Sequence, residues 1–106
     1  MQNGLYKVAF QTPIGAGAGV VVLQDGNLSG GDSSMYYVGS YAVVAGQFTA
    51  EVLANRHTPG QASVFGKDKT RISLTGTAQE ASAQATGTSP DAPSVRLQAT
   101  LTRIIH

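Results

Sequence analysis

Three chemistries can be sought in this chain, and the spacing of the residues that would perform them tests each one. Asp32-Ser33-Ser34 sets a carboxylate beside two hydroxyls, the beginnings of a nucleophile site. A serine nucleophile needs a base within reach, and the histidines are His57 and the final residue, His106. No G-x-S-x-G elbow occurs, so Asp32 is expected to bond neighbouring backbone amides and fix a turn. His57 follows Arg56 beside Pro59-Gly60, and no second His, Cys or carboxylate cluster is spaced to share a metal ion with it. It reads as an exposed histidine on the rim of a strand. Gly15-Ala16-Gly17-Ala18-Gly19 has the glycine content of a phosphate-cradling loop, but it runs into the β-branched Val20-Val21-Val22 rather than a helix. Glycines at alternate positions share one strand face, where they permit strong coiling or close approach of another surface. The chain is therefore expected to be non-enzymatic, with no catalytic residue, metal or cofactor.

What remains is binding chemistry. Tyr36, Tyr37 and Tyr41 combine large apolar area with a polar tip, which suits a pocket lining or a protein interface. On a strand Tyr37 and Tyr41 share one face and Tyr36 takes the other. Lys67, Lys69 and Arg71 would share a face too, expected to be solvated. The seven basic residues are dispersed and the formal net charge is +1, which disfavours a phosphate-reading surface and direct nucleic-acid binding. Only 12% of residues are charged against 42% hydrophobic, so the surface should associate with itself or a partner, and a homodimer is expected. Cys is absent, which excludes disulfides and thiolate sites. The start lacks the basic residues and apolar run of a secretory signal, and no apolar stretch approaches the ~20 residues that cross a bilayer. A cytoplasmic protein without membrane contact is the expectation.

The elements that would position these residues are strands. Tyr6, Val8 and Phe10 alternate with Lys7, Ala9 and Gln11, the two-residue period of a half-buried strand with the Tyr6 face inward. A second strand reaches Asp25-Gly26, a strong hairpin signal, and a short third covers residues 27–31. Strand four runs from Met35 to about Val43, Ala45-Gly46 turns the chain, and strand five puts Phe48, Ala50, Val52 and Ala54 on one face. Residues 58–70 break the rhythm around the apolar pair Val64-Phe65, with room for one helical turn. Strands resume at Arg71 and at about Ser82, and the last sets Val95, Leu97, Ala99 and Leu101 against Arg96, Gln98, Thr100 and Thr102. The two Thr-Gly-Thr triplets, at 75–77 and 86–88, read as a chance echo rather than a repeat.

About eight short strands in one 106-residue domain spell an all-β antiparallel meander. Pairing the first strand with the last closes it into a small barrel and removes two exposed edges. Such a barrel is filled by side chains or holds one small ligand. The residues expected to line a cavity are Tyr6, Val8, Phe10, Tyr37 and Tyr41 from the first half, and Phe48, Leu74, Leu97 and Leu101 from the second.

The opening Gly4-Leu5-Tyr6-Lys7-Val8-Ala9-Phe10, the Asp25-Gly26-Asn27 turn, and Gly30-Gly31-Asp32 leading to Tyr36-Tyr37-Val38-Gly39-Ser40-Tyr41 resemble the GrlR-like family of small bacterial proteins. The resemblance is sharpest over the first half of the chain. It implies a lipocalin-like barrel that dimerises, and negative regulation of type III secretion gene expression by binding an activator protein rather than DNA. One departure stands out. Where the regulators carry an acidic run, this chain reads Ala42-Val43-Val44-Ala45-Gly46. Two functions are expected in this order: a regulatory protein that sequesters another protein, or a carrier of one small apolar molecule.

Overall fold

The computed structural model describes residues 1–60 and 68–105. Eight antiparallel strands, β1 (Gly4–Thr12), β2 (Gly15–Gln24), β3 (Asn27–Gly31), β4 (Met35–Val44), β5 (Gln47–Arg56), β6 (Lys69–Ala78), β7 (Ser82–Thr88) and β8 (Leu97–Ile105), pair in chain order. The last strand returns to the first, so the meander is a closed barrel with no unpaired edge. At that seam the register slips between Leu5 and Tyr6, which face Ile105 and Arg103, and the local bulge helps the closure bend.

Alternation decides which residues enter. In β1 Tyr6 is fully buried and Val8 and Phe10 are partly so, while Lys7, Ala9 and Gln11 are exposed. Burying a side chain of this size contributes about 1.5–3 kcal/mol, and a one-residue slip would forfeit it along the whole strand. The glycine-rich part of β2 is shaped by the same interior. Gly17 faces Phe10 across the ladder, and a Cβ there would stand 2.7 Å from the Phe10 ring.

Two hairpins use the left-handed turn that matches strand twist. Asp25 and Gly26 have φ of 52° and 88°, and Ala45 and Gly46 have 52° and 81°. Alanine gains no local hydrogen bond there, and its Cβ makes the conformation cost about 1–2 kcal/mol.

Two expected boundaries move. β6 begins at Lys69 rather than Arg71, because the Arg56 amide donates to the Asp68 carbonyl (2.9 Å) and the Arg56 side chain pairs with the Asp68 carboxylate (2.6 Å), extending the β5–β6 ladder. β8 begins at Leu97 rather than Val95, whose amide is spent in a turn on the Ala92 carbonyl (3.0 Å). The expected helical turn, Val64-Phe65 and Lys67 fall outside the described residues, as does His106.

The turns at 25–26, 45–46 and 79–81 gather at one end of the barrel, and the 13–14 turn with the connections at 32–34, 57–68 and 89–96 at the other. The interior follows this division. Tyr6, Leu23 and Phe48 plug the tight-turn end, with Tyr41 stacked on Phe48 at 6.3 Å and the Tyr6 hydroxyl donating to the Gln2 carbonyl at 2.6 Å. Among the described residues no helix is long and apolar enough to cross a membrane.

Candidate functional site

The loop end of the barrel holds a cavity of about 90 Å³. Six of the nine residues expected to line it do so: Val8, Phe10, Tyr37, Leu74, Leu97 and Leu101. The other three, Tyr6, Tyr41 and Phe48, belong to the plug at the opposite end. Phe10 and Tyr37 meet edge to face at 6.1 Å and 89°, the arrangement that ring quadrupoles favour. The lining is apolar except for Asp32, Tyr37 and Thr70. Thr70 is 1% exposed, and its hydroxyl has no hydrogen-bond partner among the described residues. Thr70 is not legible in the sequence because it follows the loop-like Gly66-Lys67-Asp68-Lys69 and precedes the first regular alternation at Arg71.

Asp32 organises this end. Its Oδ1 accepts the amides of Ser34 (2.9 Å) and Met35 (2.8 Å), the turn-fixing role read from the sequence, and Oδ2 accepts a short bond from the Tyr37 hydroxyl. Burial pushes the Asp32 carboxyl up, but the Tyr37 hydroxyl and the Ser34 and Met35 amides outweigh it and hold the group below its ordinary value. Burial, reinforced by the carboxylate, pushes the Tyr37 phenol far above its own. The Tyr37 proton is thus committed to Asp32, and its oxygen is left as an acceptor.

His57 is exposed, and both ring nitrogens are engaged. Nε2 donates to the Asp32 carbonyl at 3.0 Å, and Nδ1 lies 2.6 Å from the Thr58 hydroxyl. Neither nitrogen is bonded to Ser33 or Ser34. No group of three His, Cys, Asp or Glu among the described residues is arranged to hold a metal ion.

The other motif residues divide between the two faces. Gly30, Tyr37, Gly39 and Tyr41 point inward, whereas Gly31 and Tyr36 lie on the outer face. That outer face carries a second candidate site. One row across β1–β6 reads Leu5, Val22, Ser29, Val38, Leu53, Arg71. The next reads Lys7, Val20, Gly31, Tyr36, Asn55, Lys69. Val20, Val22, Tyr36 and Val38 are 39–43% exposed, well above core values for such residues. The small Ser29 and Gly31 lie between them, so a shallow apolar trough follows β3. Asn55 donates to the Tyr36 hydroxyl at 2.9 Å, which fixes the ring at one side. Lys7 stands on one flank and Lys69 and Arg71 on the other, where the Asp91 carboxylate accepts the Arg71 amide at 2.9 Å, while Glu51 on the adjacent row accepts the Ser73 hydroxyl at 2.7 Å. Val20 and Val22 escaped sequence reasoning because a continuous apolar run does not reveal which members face out.

No family model matches the chain, and no curated protein matches it.

Proposed function

We propose that this chain is a non-enzymatic regulatory protein that acts by binding another protein across the outer face of β2–β5. The observation that carries this reading is the trough of Val20, Val22, Tyr36 and Val38. Clustered apolar side chains on a protein surface mark interaction sites. The basic flanks fit a partner whose apolar strip is bordered by acidic side chains. Stacking two copies row on row would set basic flank against basic flank, so the homodimer expected from composition uses another wall.

The resemblance of the first half to GrlR-like regulators supports the same class of activity: negative control of type III secretion gene expression through a bound regulatory protein. Residues 42–46 form only the end of β4 and a two-residue turn, without the acidic run of those regulators. The partner contact therefore falls to the outer face. The test is affinity capture from the native cell with the wild type and Val38→Asp. The reading expects a captured regulatory protein that Val38→Asp no longer retains; equal retention by the variant contradicts it.

A second reading, a carrier of one small apolar molecule, rests on a different observation, the cavity at the loop end. At about 90 Å³ it is smaller than the ~150 Å³ apolar cavity that accepts benzene, so its cargo would be small.

A further inference from the structure

The loop-end cavity selects by what its walls withhold. Asp32, Tyr37 and Thr70 are the polar residues bordering it, and their hydrogen-bonding capacity is largely spent or turned away. Asp32 Oδ1 accepts the amides of Ser34 and Met35, and Oδ2 accepts the Tyr37 hydroxyl. That last bond uses the one proton Tyr37 can donate. The Thr70 hydroxyl oxygen is fully buried and so does not face the cavity. Among the described lining residues, no side-chain donor is left for a guest.

Each common head group then meets a deficit. A carboxylate, phosphate or carbonyl needs a donor and finds none, and the first two are also repelled by the Asp32 carboxylate. An ammonium finds both Asp32 oxygens occupied. A hydroxyl exchanges its bonds to water for one acceptor, the Tyr37 oxygen, and that deficit costs binding free energy. A hydrocarbon has no such bonds to lose, and Val8, Leu74 and Leu101 supply the aliphatic contact it needs. Its size follows by proportion. The six carbons of benzene occupy an apolar cavity of ~150 Å³, so about 90 Å³ takes about four.

We infer that the loop-end cavity takes an unfunctionalised aliphatic hydrocarbon of about four carbons and rejects molecules of the same size that carry a polar head. This inference rests on the carrier reading and adds the class of cargo that the cavity selects.

The test titrates the full chain, followed by methyl NMR, with 2-methylpropane, with benzene, and with propan-2-ol, which puts a hydroxyl in place of one methyl group. The expected result is saturable binding of 2-methylpropane that shifts Val8, Leu74 and Leu101, with propan-2-ol and benzene each at least about tenfold weaker. Ala54 borders the same cavity, and Ala54→Val, which fills part of it, should weaken 2-methylpropane by about tenfold. Comparable affinity for propan-2-ol would overturn the exclusion of head groups, and comparable affinity for benzene the size, with the carrier reading left standing in both cases. Failure of all the probes would overturn the carrier reading as well. Shifts at Val22 and Val38 in place of Val8 and Leu74 would move the binding to the outer trough and overturn the inference, an outcome read on the wild type without need of the variant.

Discussion

The wall built from β2–β4 and the wall built from β6–β8 follow the same rule inside and opposite rules outside. Val21, Leu28 and Tyr37 enter the barrel from the first, and Leu74, Ala85 and Leu101 from the second. Outside, the first wall shows Val20, Val22, Tyr36 and Val38, whereas the second shows Thr75, Thr86 and Gln98 on one row and Thr77, Gln84 and Thr100 on the next, its exposed Ile104 and Ile105 lying at the end of β8 beyond the β7 pairing. Valine and threonine have nearly the same shape, and both suit a pleated strand. Strand formation therefore accounts for β-branched residues on both walls but not for the choice between them. Threonine keeps a strand surface wet; valine at the same kind of position makes it ready for a dry contact.

The largest effect probes what the walls share. At Gly39 in β4 a Cβ would run into the Glu51 carbonyl, and at Gly76 in β6 into the Gln84 carbonyl. Both Gly39→Ala and Gly76→Ala should lose about 3 kcal/mol or more in urea melts, because strand backbone cannot yield as a flexible side chain does. Sensitivity at only one position would break the claim that the walls are equivalent inside.

Next comes the turn between β3 and β4 within the first wall. Asp32→Asn should cost about 1–3 kcal/mol by weakening bonds to a charged acceptor. It should also change the acid limb of stability. Because the folded Asp32 lies below its ordinary 3.8, its contribution is complete above that value and is lost as pH falls through the lower folded one. The variant should therefore be flatter below about pH 4 in thermal melts across pH. The alkaline limb has the opposite sign. Tyr37 is raised above its ordinary 10.0 by burial first and Asp32 second, so its contribution is complete below pH 10.0 and declines above it. Tyr37→Phe should reduce that decline, and a remainder should persist from Tyr6, which burial also raises.

A smaller change sharpens the outer contrast directly. The double variant Val22→Thr with Val38→Thr gives the first wall the surface of the second. Its melting temperature should stay near that of the wild type, while retention of the captured partner falls about tenfold. The smallest effect concerns the turns. Ala45→Asp gives the β4–β5 hairpin the Asp-Gly pair of the β2–β3 hairpin, and should stabilise the barrel by about 0.5–1 kcal/mol in the same melts.

The strands were legible wherever one face was buried and the other wet, as in β1 and β8, because the two-residue period carries the information. The hairpins at Asp25-Gly26 and Ala45-Gly46 were legible from turn chemistry. The start of β6 was not, since Lys69 and Thr70 look like loop until the Arg56–Asp68 contacts extend the ladder. The division of the interior was hidden for a different reason. Tyr6 and Phe10 stand four residues apart on the inward face of β1, as Tyr37 and Tyr41 do on β4. Alternation reports the face but not the height along the barrel that sends Tyr6, Tyr41 and Phe48 to the tight-turn end. The apolar trough depends on two strand registers and its basic flanks on three more, which no single segment of sequence contains.

The most direct test of the proposed interface is site-specific photocrosslinking in the native cell, with a benzophenone amino acid at Val38 and, separately, at Thr100. The account predicts a crosslinked regulatory protein of distinct mass from Val38 and none from Thr100. Equal crosslinking from both positions, or a Val38 product composed of two copies of this chain, would contradict it.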